Sequence, residues 1–98
     1  MKWLKIVLSP EEIADGKASR LAVQFNTAFR RSLMPNSMVL LMSKKPTDEG
    51  GQVYYLSPES TRFLADFLGY YSATECDEPD KDEAWMLAGN NGSVIKTY

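Results

Sequence analysis

Ninety-eight residues with 44% apolar and 24% charged content suffice for one folded domain with its own core and exclude a disordered chain, which lacks that apolar fraction. A net charge of -2 argues against a surface tuned throughout for nucleic acid, whose phosphates require a positive excess. The single cysteine, Cys76, leaves no internal disulfide and excludes a disulfide scaffold of the secreted kind.

The chain opens with Lys2 to Leu8, where Leu4, Ile6 and Leu8 alternate with Trp3, Lys5 and Val7. That period of two predicts a strand with one strongly apolar face. A charge inside the run and its short length fit neither a signal peptide nor a membrane span. The expectation is a cytoplasmic protein that does not associate with membranes.

Ser9-Pro10 ends the strand, and Glu12 stands three residues after Ser9. Ser9 as cap, Pro10 at the first helical position and Glu12 reaching back make a capping box. From Ala14 on, Ala18, Leu21, Ala22, Phe25, Ala28, Phe29 and Leu33 form one stripe at helical spacing, with Lys17, Arg20, Gln24, Arg30 and Arg31 largely off it. The prediction is an amphipathic helix of about five turns, with its first turn set apart by Asp15-Gly16, because glycine weakens a helix interior. Pro35-Asn36 ends it.

Ser37 to Ser43 is a continuous apolar run suited to a strand buried on both faces. The polar turn Lys44 to Gly51 follows, then a hairpin partner, Gln52 to Leu56. A second helix is predicted to about Leu68, with Phe63, Leu64, Phe67 and Leu68 toward the core and Gly69 as its cap. Ala73 to Cys76 reads as a short extended piece. Glu75 to Glu83 holds six acids, Pro79 and Lys81, and reads as a solvated loop. Ala84 to Ala88 is a strand, residues 89–92 a tight turn that also accounts for the Asn91-Gly92-Ser93 sequon, and Ser93 to Tyr98 a final strand or tail.

Leu8-Ser9-Pro10-Glu11 returns as Leu56-Ser57-Pro58-Glu59, each time between a strand and a helix. Both junctions are expected to share one geometry in which Ser caps and Pro and Glu open the helix. The element order and this halfway repetition match a split βαβ plan. The predicted fold is therefore a single α+β domain over residues 1–98, a ferredoxin-like sandwich with an antiparallel sheet, two helices on one face and an extra C-terminal strand or tail.

Chemistry is sparse. Without histidine the chain lacks the usual neutral-pH base, the commonest zinc ligand and the partner of a Ser-His or Cys-His nucleophile. Cys76 stands between Glu75 and Asp77, which disfavour its thiolate. The acidic stretch has no register with both the Gly and the Glu of a calcium loop, and Gly16-Lys17 lacks the flanking residues of a phosphate loop. No metal, cofactor or catalytic residue is assigned, and an enzyme is disfavoured.

Charge is uneven along the chain, +5 over residues 1–45 and -7 over residues 46–98. In the split βαβ plan the sheet face bearing Trp3, Lys5 and Val7 has no helix over it. Tyr54 or Tyr55 and Trp85 or Met86 would extend the patch, and the candidate binding residues are Trp3, Val7, Tyr54 and Trp85. A patch of this kind calls for a cover, either the C-terminal segment or a second copy in a homodimer. The functional expectation is a small non-catalytic protein-interaction or regulatory module using that face. Alternatives are a small-ligand or enzymatic domain using carboxylate and arginine side chains, and an RNA-binding ferredoxin-like domain, although the third strand lacks the opening basic-Gly-aromatic pattern of RNA-recognition motifs.

Overall fold

A computed structural model describes residues 2–33, 35–88 and 93–97. In chain order these form β1 (Trp3–Leu8), α1 (Pro10–Ala14), α2 (Lys17–Arg31), a short 3-10 turn (Pro35–Ser37), β2 (Leu40–Ser43), β3 (Gln52–Leu56), α3 (Pro58–Leu68), β4 (Ala73–Cys76), β5 (Ala84–Ala88) and β6 (Ser93–Thr97). The fold is α+β, with one antiparallel sheet in the order β4-β1-β3-β2-β5-β6. No described helix is long and apolar enough to cross a membrane. The tight turn expected at residues 89–92 lies outside the described residues.

Facing residues of an antiparallel pair share a side of the sheet, so the register sorts the side chains into rows. Ala73, Ile6, Tyr54, Met42 and Trp85 are paired in succession across five strands. Ile6 and Tyr54 belong to the core, with Met42 and Ala73 packed against it, so this row faces the helices. The next row, Thr74, Lys5, Tyr55, Leu41 and Met86, faces the other way. Leu40 and Leu41 are both buried, as a strand covered on both sides requires.

On the helix side Ile6, Leu8, Leu40, Tyr54, Leu56 and Leu87 meet Leu21, Phe25 and Ala28 of α2 and Leu64 and Leu68 of α3. Gly16 adopts φ +86°, which an L side chain resists, and this glycine separates α1 from α2. The capping box forms as predicted, with the Glu12 amide donating to Ser9 Oγ at 3.2 Å and the Ser9 amide donating to Glu12 Oε1 at 3.1 Å.

Several expectations need correction. The second junction repeats the first in backbone, since Pro58 opens α3 just after β3 ends at Leu56 and the Thr61 amide donates to the Ser57 carbonyl as the Ile13 amide does to that of Ser9, but its serine side chain has a different task. Ser57 is buried, its hydroxyl donates to the Ser37 carbonyl at 2.9 Å and accepts from the Val39 amide at 2.9 Å, and Ser60 Oγ lies 2.7 Å away. These two hydroxyls satisfy the bend before β2, which enters the sheet two residues past the loop. Gly69 has no positive φ among the described residues, so it is not a left-handed cap. Phe63 points outward at the flank of α3, 50% exposed, and Leu33 lies beyond the end of α2, 97% exposed.

The sheet is also wider than the plan of four strands and a tail. Residues 73–76 form the strand beside β1, four residues after α3, while 84–88 lie at the far side of β2 and pair there with β6. The C-terminal segment thus extends the sheet edgewise and does not lie over its face.

Two predictions follow from local geometry. A Cβ at Gly51 would collide with the Leu8 carbonyl oxygen and stand 3.0 Å from Thr47 Oγ1, whereas one at Gly69 meets nothing nearer than 4.0 Å. Gly51→Ala is expected to cost about 1–3 kcal/mol and Gly69→Ala to be neutral or slightly stabilising, read from paired urea denaturation curves. Glu12 accepts from the Ser9 backbone amide and from Lys17 Nζ at 3.0 Å, and these bonds, the backbone one foremost, hold its carboxyl below the ordinary range. A depressed folded-state pKa contributes stability above the unfolded value, about 4.3, and that contribution is lost as pH falls through the folded value. Thermal melts from pH 6 down to pH 2.5 should therefore fall less steeply for Glu12→Gln than for the natural chain.

Candidate functional site

Two surfaces bear candidate residues, one on each side of the sheet. On the side away from the helices lie Trp3, Lys5 and Val7 of β1, Val53 and Tyr55 of β3, Leu41 of β2 and Met86 of β5. Trp3 and Val7 are thus together as expected. Tyr54 is buried in the helix-side core. Trp85 shares that side by its pairing with Met42, half-buried with Lys44 Nζ 6.0 Å from its ring centre. Their neighbours Tyr55 and Met86 face the Trp3 side instead, Tyr55 opposite Lys5 on the adjacent strand and Met86 opposite Leu41, three strands from β1.

That face is not bare. The chain leaves β4 at one side and must reach β5 beyond β1, β3 and β2, a lateral distance of about 19 Å at the usual strand spacing. It must also climb, because Cys76 is level with Trp3 while Ala84 is level with Ser43. That adds about 13 Å along the strands. Residues 77–83 can extend to roughly 26 Å, which suffices for the direct diagonal and not for a detour around a helix layer about 10 Å thick. The crossover therefore runs over the face opposite the helices. Its path explains why Leu41 and Ala84, on a face without helices, are fully buried.

The crossover is held at both ends. Lys2 Nζ donates to Asp77 Oδ1 at 2.8 Å, and the Lys44 amide donates to the Glu83 carbonyl at 2.9 Å, where a turn closes from the Glu83 amide to the Asp80 carbonyl at 3.0 Å. Pro79 is half-buried, while Asp77, Glu78, Asp80, Lys81, Asp82 and Glu83 are exposed. Of the sheet face, Val7 at the corner stays the most open large side chain, 39% exposed.

Cys76 sits beneath one end of this crossover. Its thiol pKa is raised, chiefly by burial; Asp77 adds to the effect, while Lys5 and Lys2 oppose it. The direction matches the expectation from sequence but the principal cause differs. A maleimide or disulfide probe at pH 7 should modify Cys76 more slowly than free cysteine. A faster reaction would overturn this account of the thiol.

The second surface is the outside of the helix layer. Gln24, Thr27, Ala28 and Arg31 recur at helical spacing along α2 and line a groove with Phe63, Leu64 and Asp66 of α3. The groove continues past the end of α2, where Arg31, Leu33, Glu59, Arg62 and Phe63 meet. Each section encloses about 340 Å³, at the low end for small-molecule sites. α2 contains Lys17, Arg20, Arg30 and Arg31 and no carboxylate. Lys17 is engaged by Glu12, by the Tyr70 carbonyl at 3.1 Å and over the Tyr71 ring, whose hydroxyl donates to the Lys17 carbonyl at 2.9 Å. Arg20, Arg30 and Arg31 are exposed.

Positive charge thus runs along α2 and negative charge along the crossover on the opposite sheet face. Glu11, Glu12 and Asp15 around α1 and Glu59 and Asp66 of α3 offset the cations of the helix layer as a whole, so the imbalance along the sequence becomes only in part a separation in space. Among the described residues, no group of three His, Cys, Asp or Glu side chains is placed to hold a metal ion. Comparison with protein-family models, with characterised proteins and with solved structures yields no match to this chain.

Sequence reasoning missed Leu33 and Phe63, which it assigned to the core. The available signal was angular. Phe63 lies about 100° from Leu64 around α3, at the margin of the buried stripe, and Leu33 follows Ser32, where the helical spacing no longer applies.

Proposed function

We propose that the chain is a non-catalytic protein-interaction module, one cytoplasmic domain, whose docking surface is the α2–α3 groove. The carrying observation is the placement of Phe63 and Leu33, two large apolar side chains left half or more in water beside Arg31 and Arg62. Interface centres favour aromatic residues and arginine. On this reading β4-β1-β3-β2 with α2 and α3 is a ferredoxin-like split βαβ core, to which β5 and β6 add at the β2 side. The complete strand order differs from the four-stranded plan by that addition.

The sheet face is the second reading. Trp3, Val7 and Tyr55 remain a candidate surface there, with Val7 accessible beside the crossover. Its acidic crossover disfavours the RNA-binding alternative, since carboxylates repel phosphate from the face on which RNA-recognition motifs stack bases. It disfavours a face-to-face homodimer for the same like-charge reason.

The two surfaces are separable by experiment. Immobilised natural chain, Phe63→Asp and Val7→Asp are used to capture proteins from the source cells, with thermal melts confirming that both variants fold. Partners lost with Phe63→Asp and kept with Val7→Asp support the groove. The opposite pattern transfers the function to the sheet face. Partners unaffected by either substitution refute both.

A further inference from the structure

We propose that the occupant of the α2–α3 groove is a second copy of this chain, docked groove to groove about a two-fold axis that sets each Arg31 opposite the partner's Asp66 and brings the two Phe63 rings together. The inference rests on reading the groove as a docking surface and names what docks there.

The carrying observation is how the charges of the groove are placed. Arg31 and Arg62 balance Glu59 and Asp66, so neither an acidic nor a basic partner is favoured. The balance is not uniform along the groove. Arg31, Arg62 and Glu59 share the section at the end of α2 and the start of α3, whereas Asp66 belongs to the other section, with Gln24. The helices thus run antiparallel, and Asp66, seven residues beyond Glu59, stands about 10 Å farther along α3. One end of the groove has an excess positive charge and the other a negative one. Phe63 lies between them, half in water. Among the described residues, neither Arg31 nor Asp66 belongs to an ion pair.

A groove that is positive at one end, negative at the other and apolar between is complementary to itself after half a turn. Two-fold docking requires this property, because each contact between two positions occurs twice with the copies exchanged. Arg31 and Asp66 stand on different helices, so the line joining them runs obliquely across the groove. A two-fold axis in the plane of the interface, perpendicular to that line at its midpoint, exchanges the two positions and passes close to Phe63. It also turns one helix layer across the other, so that α2 crosses α3 of the second copy and its arginines are kept from their own counterparts. Burial of the exposed half of Phe63 supplies the apolar contribution. The footprint is modest: helices of 15 and 11 residues, each about 10 Å across, cover on the order of 400 Å², which is small for a permanent dimer. The association is therefore weak and concentration-dependent.

The test is sedimentation equilibrium of the purified chain from about 10 µM to about 1 mM, with thermal melts confirming that every variant folds. The mean mass of the natural chain should rise with concentration toward twice that of one copy, and Phe63→Asp should stay monomeric. Arg31→Asp and Asp66→Arg should each weaken association about ten-fold, because the two-fold repeats the reversed pair. An equimolar mixture of these two variants should associate as the natural chain does, since each then meets its opposite charge in the other. Arg30→Asp, at an exposed position that lines neither section, should leave the dimer unchanged.

A natural chain that stays monomeric throughout refutes the second copy. The docking groove is then judged by the capture experiment, where partners indifferent to Phe63→Asp would remove it. A dimer that survives Phe63→Asp, or is lost with Val7→Asp instead, has its interface elsewhere and overturns the proposal. A mixture no more associated than either variant alone, or a loss with Arg30→Asp as large as with Arg31→Asp, overturns the two-fold arrangement.

Discussion

The distribution of surfaces depends on one topological constraint, the seven-residue connection that must carry the chain from β4 across three strands to β5. Its length admits only the diagonal over the sheet. Every consequence for recognition follows from that route, because the connection brings its carboxylates with it. A face that alternation makes apolar, with Leu41, Tyr55 and Met86 in one row, becomes covered and negative. The crossover need not be apolar to do this. Leu41 is fully buried while the acids of the crossover remain exposed, where their mutual repulsion is least costly.

The helix side is fixed by a different device. Leu8 and Leu56 end their strands fully buried, each immediately before a Ser-Pro-Glu turn into a helix. At the first turn Ser9 and Glu12 satisfy one another's backbone amides, and Glu12 also engages Lys17, which reaches Tyr70 and Tyr71 beyond α3. The start of α1, the start of α2 and the end of α3 are thereby tied at one corner. At the second turn the polar groups serve the chain entering β2 through Ser57 and Ser60. The same tetrapeptide thus performs two tasks, chosen by which unsatisfied backbone groups lie within reach.

The period of the apolar residues made β1, β3 and the body of α2 legible, and the repeated junction located α3. Gly16 announced the break between α1 and α2. The choice between Tyr54 and Tyr55 was also contained in the sequence. Leu56 stands in the junction position of Leu8, and parity along β3 then turns Tyr54 inward with it and Tyr55 outward. In β5 the same reasoning from Leu87 turns Trp85 toward the helices and Met86 away. The order of the outer strands was not legible, because local pattern says nothing of which edge a short strand joins. Without that order, the path of residues 77–83 and the burial of Leu41 had no basis. Phe63 and Leu33 escaped notice for a geometric reason. Helical spacing identifies the centre of a buried stripe well and its margins poorly.

Charge is arranged more locally than the split along the sequence suggests. α2 carries Lys17, Arg20, Arg30 and Arg31 without a carboxylate, but Glu11 and Glu12 of α1, Asp15 in the turn after it, and Glu59 and Asp66 of α3 offset these and Arg62, so the helix layer as a whole is balanced. The crossover, with five carboxylates and Lys81, keeps one sign, and a sheet-to-sheet pairing of two copies would set those carboxylates against each other. What distinguishes the helix side is apolar. Phe63 is 50% and Leu33 97% exposed there, whereas the Leu41 row on the sheet face is withdrawn from water, so the two sides differ in hydrophobic surface more than the helix layer differs from neutrality.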